Sequence, residues 1–205
     1  MKTDMEEAME DPHHCRHLCV DMQRMFAEDT PWHIPWMQRV REPVAAIAGA
    51  CPAETIFTRF VPPLRPSDAS GSWRGYYEKW SMMTRGRLGD GMVDILPELR
   101  AMVPPASVFD KTTYSPWLDG RLHAFLRGQG VDTLVISGGE TDVCVLAAIL
   151  GAVDLGYTIV LVKDAICSTS DETHDASLAL YGRRFSNQLR LCEADEVLRW
   201  WKGRD

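Results

Sequence analysis

Short apolar segments alternate with helical stretches along this chain of 205 residues, and this alternation restricts its fold more than any other feature. The strand-like segments are the apolar run that ends at Asp21, followed by Glu54–Phe60, Ser107–Ser115, Asp132–Gly139, Tyr157–Ala165 and Asn187–Cys192. Strands joined by helical crossovers form parallel sheets covered on both faces. The sequence therefore predicts an α/β fold: a six-stranded parallel sheet with helices on both faces, in a Rossmann-like three-layer α/β/α arrangement.

The length fits one domain with room for a sizeable core. We predict an acidic, mobile N-terminal arm at residues 1–15 and a single domain at residues 16–205. Residues 61–91 are rich in proline, glycine and aromatic side chains and are long for a passive connection. We expect this excursion to be either a lid over a site or a contact between subunits.

Charge and hydropathy exclude several classes of partner. The 22 basic and 29 acidic residues give a formal charge of -7, and no basic cluster suits a nucleic acid. The longest uncharged run, Val143–Val153, is too short to span a membrane. It is apolar around most of a helix, so we expect a homo-oligomer, a dimer or a tetramer. The acidic N-terminus and six scattered cysteines, interpreted as thiols, predict a cytoplasmic protein.

Three chemically useful side chains fall at the ends of strand candidates. Ligands of parallel sheets bind at the carboxyl ends of the strands, where Asp21, Lys111 and the segment that contains Cys144 should meet. With Thr141 and Asp142 as helix caps, Cys144 would lie in the first helical turn. A helix N-terminus and a nearby cation favour a thiolate nucleophile, and a carboxylate can carry its proton.

Simpler interpretations of these residues remain open. Cys144 would suit a core position, because free cysteine is often buried, while Asp21 could cap a turn and Lys111 could be solvated. A Cys–His dyad with His123 or His174 is another possibility.

A metal site near the N-terminus is also possible. A cluster of metal-ligating residue types could hold structural zinc, although its spacing matches no known motif: His13, His14, Cys15 and His17.

The segments "VDMQRMF", "FDKTTYS" and "SGGETDVCV" resemble, in the same order, the three signature segments of the isochorismatase-like cysteine hydrolase family. The resemblance spans nearly everything after residue 16. It implies a catalytic triad of Asp21, Lys111 and Cys144, with oxyanion donors from the backbone amides of Val143 and Cys144. It also implies a cis peptide before Glu140, although Gly139 stands where the family more often carries valine or isoleucine.

The resemblance implies a hydrolase without a cofactor. Nicotinamidase-like members carry an Asp-x-His motif and a further histidine after the second strand, whereas this chain reads "TRFVPPLRP", so we predict no metal. We predict hydrolysis of a C–N bond in a small amide or carbamoyl compound through an acyl-enzyme. The alternatives are a vinyl ether hydrolase, whose family members lack the cysteine, and a binding module with a vestigial triad.

Two further expectations concern the pocket and the reactivity of the thiol. The residues that we predict to bind the substrate are Gln23, Phe26, Trp73, Tyr77, Trp80 and Glu140. A catalytic Cys144 with a lowered pKa would be alkylated rapidly below about pH 8, whereas an inert core thiol would not.

Overall fold

The computed structural model describes residues 14–202. This part of the chain forms six strands: β1 (Cys15–Val20), β2 (Thr55–Phe60), β3 (Ser107–Lys111), β4 (Thr133–Gly139), β5 (Thr158–Cys167) and β6 (Leu189–Cys192). All neighbouring strands are parallel, in the order β3-β2-β1-β4-β5-β6. The predicted six-stranded parallel sheet is therefore confirmed.

Helices link the strands and cover both faces of the sheet. The α-helices in the described part are α1 (Arg24–Ala27), α2 (Met37–Ala50), α3 (Ser72–Lys79), α4 (Arg85–Leu88), α5 (Asp90–Val93), α6 (Pro97–Arg100), α7 (Arg121–Gly128), α8 (Cys144–Asp154), α9 (Asp171–Arg184) and α10 (Ala194–Lys202). None of the helices in this part is long and apolar enough to cross a membrane.

Several element boundaries differ from the sequence-based expectation. β3 ends at Lys111 instead of Ser115, because the chain bends there, and β5 continues past Ala165 to Cys167. Most of the predicted N-terminal arm, residues 1–13, lies outside the described residues, and β1 begins at Cys15.

The two faces of the sheet carry separate cores because side chains alternate along each strand. In β4, Leu134 and Ile136 pack against α7, α8 and α9, whereas Val135 faces α2 and α10. Helix α2 buries Met37, Val40, Val44, Ile47 and Ala48 at helical spacing, which places one apolar stripe on the sheet. The helices on each face of the sheet therefore pack against the side chains that every strand directs to that face.

A third, smaller cluster joins the excursion at residues 61–91 to the carboxyl end of the sheet. Its buried members are Met25, Phe60, Tyr77 and Met83, surrounded by partly buried aromatic side chains. The excursion is therefore anchored to α1 and to the end of β2 and is not a free loop.

The strand order reverses between β1 and β4, whose ends must lie close together. Gly138 near the end of β4 has a φ of 109°, and a Cβ atom there would come 2.0 Å from the carbonyl oxygen of Val20. Only glycine permits this approach. The carboxyl ends of β1 and β4 therefore border one crevice, the place where parallel α/β sheets bind ligands.

Candidate active site

Asp21 follows β1 directly and is the only described residue other than glycine with a positive φ, 48°. Its side chain is 1% exposed, and its Oδ1 atom accepts a hydrogen bond of 2.6 Å from the hydroxyl of Thr58 on β2. The same Thr58 oxygen accepts a bond of 3.1 Å from the Asp21 amide. Thr58 thus fixes both the backbone and the carboxylate of Asp21.

Lys111, the last residue of β3, reaches across the end of β2 towards Asp21. Its Nζ atom lies 2.6 Å from Asp21 Oδ2 and donates hydrogen bonds to the Thr113 carbonyl, at 3.1 Å, and to the Cys144 sulfur, at 3.4 Å. Nζ also lies 5.1 Å from the centre of the Phe60 ring. The buried ammonium is therefore paired with a carboxylate and in contact with the thiol.

Cys144 is the first residue of α8 and is 7% exposed. The structure thus brings the three predicted residues, Asp21, Lys111 and Cys144, into mutual contact. The predicted capping by Thr141 and Asp142 is wrong, because no side chain caps this helix. Their side chains instead hold the chain after β5: Thr141 Oγ1 donates to the Cys167 carbonyl, and Asp142 accepts from Ser168.

The surroundings raise the pKa of the Cys144 thiol well above its ordinary value. Burial is the main cause; the Asp21 carboxylate adds to the increase, and the Lys111 ammonium opposes it. Burial alone would lower the pKa of Lys111, but Asp21 and Cys144 outweigh it and raise that pKa. This direction is opposite to the lowered pKa expected of a catalytic thiol, and the geometry pairs the Lys111 ammonium with the Asp21 carboxylate beside the sulfur.

The turn before α8 provides the amides beside the sulfur. The Gly139–Glu140 peptide is cis, as the resemblance implies. The Val143 amide already donates to the Glu140 carbonyl, at 3.1 Å, and the Val145 amide donates to the same oxygen at 2.9 Å. Within residues 14–202, the Cys144 amide has no hydrogen-bond acceptor. Of the two predicted oxyanion donors, Cys144 is therefore free, and Val143 is engaged.

Gly139 leaves room for a neighbouring side chain from β5. A Cβ atom on Gly139 would come 3.0 Å from the Cys167 sulfur. Burial raises the pKa of the Cys167 thiol, so this sulfur acts as an apolar filler. The glycine and the cysteine together replace the larger side chain that the resemblance leads one to expect at position 139.

A cavity of about 360 Å³ opens over the Cys144 sulfur. The residues that line it include the aromatic side chains Phe26, Trp32, Phe60, Tyr76, Trp80 and Tyr114. The remaining lining residues are Pro31, His33 and Ile34 after α1, Gly139 at the end of β4, Glu140 and Val143 before α8, Cys144 itself, and Thr169 after β5. This volume suits a small organic ligand.

Three of the predicted substrate-binding residues line this cavity and three do not. Phe26, Trp80 and Glu140 belong to its wall. Gln23 does not, because its buried amide donates to the carbonyls of Phe60 and Val93 and accepts from the Phe60 amide. Gln23 thus links the chain after β1 to the end of β2 and to the last residue of α5.

Trp73 and Tyr77 are also absent from the cavity wall. Tyr77 is 1% exposed and packs in the third core cluster, and both residues line a separate groove behind the excursion. Helix α3 instead presents Tyr76 to the cavity. Of the predicted residues in this aromatic segment, Trp80 therefore lines the cavity, whereas Trp73 and Tyr77 do not.

Other wall residues were not predicted from the sequence. Trp32 lies in an irregular turn that has no periodic pattern. Tyr114 could have been predicted, because it lies three residues after Lys111 in "FDKTTYS". The whole segment was assigned to a strand, however, and the bend after Lys111 brings Tyr114 to the cavity.

The two histidines considered for a Cys–His dyad, His123 and His174, form hydrogen bonds with groups other than the Cys144 sulfur. His123 pairs with the Tyr157 hydroxyl at 2.9 Å, and His174 with the Thr141 hydroxyl at 2.9 Å. His17 lies in the core between Thr55 and Ser137, and burial lowers its pKa to about 3. These contacts argue against a Cys–His dyad. His13 lies outside the described residues, within which no group of three metal-ligating side chains occurs.

Comparison with known proteins agrees with the resemblance found in the sequence. The family model of the isochorismatase domain matches residues 15–191. A cysteine hydrolase from Pseudomonas syringae pv. phaseolicola is similar in structure, with a TM-score of 0.83, 22% identity and 94% of each chain covered.

Two curated relatives are similar over part of their sequence. A probable inactive nicotinamidase from Arabidopsis thaliana is 31% identical over 104 residues, 49% of this chain and 50% of the relative. A maleamate amidohydrolase from Pseudomonas putida is 27% identical over 105 residues, 50% of this chain and 49% of the relative. The chain thus spans about half the length of the curated relatives it matches.

Proposed function

Because this chain belongs to the isochorismatase family, we propose that it is a cysteine hydrolase that cleaves the C–N bond of a small amide or carbamoyl compound. The observation that carries the proposal is the contact of one buried ammonium, that of Lys111, with both the Asp21 carboxylate and the Cys144 sulfur beneath a cavity. This arrangement contains a nucleophile, a proton carrier and a fixed charge that orients both.

The proposed reaction begins with attack of the Cys144 sulfur on the substrate carbonyl carbon. The thiol proton passes to Asp21, whose carboxylate is within hydrogen-bonding reach of the sulfur. Asp21 then gives that proton to the leaving nitrogen as the C–N bond breaks, and ammonia or an amine departs. A water molecule, deprotonated by Asp21, attacks the resulting thioester, which releases the acid and restores the thiol.

The negative oxygen of each tetrahedral intermediate needs hydrogen-bond donors. The free amide of Cys144 supports one donor, at the start of α8, where the helix dipole also favours negative charge. The Glu140 amide likewise has no acceptor among the described residues and belongs to the same cavity wall. The Val143 amide would first have to release the Glu140 carbonyl, so we propose the amides of Cys144 and Glu140 as the pair.

Ammonia release from a panel of small amides, ureas and carbamoyl compounds tests the activity. The panel includes nicotinamide and maleamate, after the names of the relatives. We expect turnover of at least one compound by the purified protein, with the rate unchanged by a chelator. Turnover that is lost on chelation and restored by one divalent metal would contradict the metal-independent mechanism.

The variant Cys144→Ser tests the nucleophile. We expect it to fold normally and to lose turnover by about 10³-fold or more, because the serine hydroxyl is a far weaker nucleophile at this site. The matched control is Cys51→Ser, at the opposite end of the sheet before β2, which should retain turnover. Equal activity of Cys144→Ser and wild type would refute the assignment. A protein that binds panel compounds without turning any over would instead support the vestigial alternative.

A further inference from the structure

Glu140 places a carboxylate without a cationic partner in the wall of the cavity. Its Oε1 atom accepts hydrogen bonds from the amide of Thr169, at 3.2 Å, and from its hydroxyl, at 2.9 Å. Among the described residues, no group forms a hydrogen bond to the Oε2 atom of Glu140. No lysine, arginine or histidine among them forms an ion pair with this carboxylate. One carboxylate oxygen is thus held by the protein and the other is left for a ligand.

No lysine or arginine in the cavity wall compensates Glu140. The one histidine that lines the cavity, His33, is exposed, and no ion pair between it and Glu140 occurs among the described residues. Lys111 and Asp21 form an ion pair, which leaves no net charge from these two groups at the reacting end. The residues described as lining the cavity include neither lysine nor arginine, and Glu140 is the only carboxylate among them. Burial raises the pKa of Glu140, Thr169 opposes the increase, and the charge of Asp142 adds to it. The cavity therefore favours a positive charge and disfavours a second negative one.

Aromatic rings form most of the remaining wall. The rings of Trp32 and Tyr76 have centres 5.8 Å apart, and Phe26 stacks on Trp32 at 6.2 Å. Tyr114 lies 6.4 Å from Phe60 on another part of the wall. Aromatic faces attract alkylammonium and other organic cations, most strongly where water is excluded. A cavity wall that combines one carboxylate with such rings is suited to a cation with an apolar surface.

We propose that the substrate is a small amide whose other end carries a cationic alkylammonium group, held by Glu140 and the aromatic wall. This inference rests on the proposed amide hydrolysis and names the substrate class for the same cavity. The carbonyl would lie at the Cys144 sulfur, and the cation would lie towards Glu140 and the aromatic wall. Amides that carry a carboxylate would be disfavoured, because neither lysine nor arginine lines the wall and the Glu140 carboxylate would repel them.

A matched series of amides tests the charge preference. Each trimethylammonio-alkanamide is compared with the neutral amide of the same length in which a tert-butyl group replaces trimethylammonium, and with succinamate as an anion. The two groups have nearly the same shape, so the ratio of their kcat/KM values isolates the charge. We expect the cation to be preferred roughly 10-fold or more at the best chain length, with succinamate the poorest.

The variant Glu140→Gln keeps the size of the side chain and the acceptor for Thr169 but removes the charge. We expect the preference for the cation over its neutral partner to fall close to unity. The control Glu78→Gln removes the same charge from an exposed position on α3 outside the cavity and should retain the preference. A wild-type enzyme that prefers the neutral amide, or a preference that survives Glu140→Gln, would overturn the inference.

A binding measurement separates this inference from the proposed hydrolysis. Calorimetry on Cys144→Ser with the same amide pair reports affinity without turnover. Tighter binding of the cation with no ammonia release by wild type would support the cation site and refute hydrolysis of these amides. Turnover of neutral amides, with no preference for the cation in binding or kinetics, would refute the cation site and leave the hydrolase intact.

Discussion

At the scale of single residues, the Cys144 thiol lies beside two charges that act on its pKa in opposite directions. Burial and Asp21 raise that pKa, and Lys111 lowers it. A raised pKa favours the protonated form of the thiol, so the proposed reaction requires transfer of the proton as the sulfur attacks. This differs from cysteine sites in which a cation alone holds a thiolate.

The variant Asp21→Asn should move reactivity and turnover in opposite directions. Loss of the carboxylate lowers the Cys144 pKa, so labelling by iodoacetamide should begin to accelerate at a lower pH than in wild type. Wild-type labelling should be slow near neutral pH and should accelerate as the pH rises. Turnover should fall by about 10²- to 10⁴-fold, because the proton carrier is lost. An acceleration at the same or a higher pH would contradict the electrostatic account.

The Lys111–Asp21 ion pair should also contribute to folding stability. Asp21 is 1% exposed and Lys111 7% exposed, so removing one partner leaves the other charge buried. We expect Lys111→Met to lower the free energy of unfolding by about 3–5 kcal/mol and the double variant Asp21→Asn/Lys111→Met to recover part of it. Urea denaturation measures both.

The control for this prediction is Lys163→Met, which removes one partner of the exposed Lys163–Glu193 pair and should cost at most about 1 kcal/mol. Equal losses for Lys111→Met and Lys163→Met would show that burial of the inner pair has no energetic consequence.

At the scale of elements, α3 has two functions on adjacent residues. Tyr76 lines the cavity, whereas Tyr77 packs with Met25, Phe60 and Met83. We expect Tyr77→Ala to lower the free energy of unfolding by about 3–5 kcal/mol, as for other large buried side chains. Tyr76→Ala should mainly change KM or the order of preference among amides. A matched loss of stability in both variants, with unchanged kinetics, would show that the segment is only structural.

The strands could be predicted from the sequence, and the turns around the site could not. Apolar runs such as Asp132–Gly139 have few alternatives to a buried strand, and β4 lies there. Thr141 and Asp142 have the residue types of helix caps, but their side chains bond to Cys167 and Ser168, which follow in sequence only after a whole helix and strand. Local propensity cannot anticipate contacts of that range.

The wall of the cavity was predictable only in part, for the same reason. Trp32 comes from a non-periodic turn, and its role depends on α3 packing beside it. Gln23 has the polar side chain and the position of a substrate-binding residue. It is completely buried, however, and its side chain bonds to the carbonyls of Phe60 and Val93. Only the three-dimensional structure distinguishes a polar group that serves the fold from one that faces a ligand.

At the scale of the whole molecule, the sheet topology brings the site together. Asp21 follows β1, Lys111 ends β3 and Cys144 follows β4, and the reversal of strand order lies between β1 and β4. Residues separated by most of the chain therefore share one crevice at the carboxyl end of the sheet. This convergence was predictable from the alternating pattern, because parallel strands all end on the same side.

We expect the chain to assemble through the outer face of α8. Leu150 and Leu155 are 39% and 38% exposed, and Leu118 adjoins Trp117, whose indole donates to the Ala148 carbonyl of this helix. Exposed apolar side chains on and beside a helix favour a contact between subunits. Sedimentation at micromolar concentration should show a dimer or a tetramer, and Leu150→Glu should produce a smaller species. A wild-type monomer at that concentration would refute the prediction.

Mass spectrometry tests the proposed nucleophile Cys144 most directly. The wild-type enzyme is quenched with acid while it turns over a slowly hydrolysed amide. We expect the intact mass to increase by that of the acyl group and the peptide containing Cys144 to carry the addition. The variant Cys144→Ser, treated in the same way, should show no addition. Ammonia release with the acyl group on a different residue would contradict the assignment of Cys144 as the nucleophile.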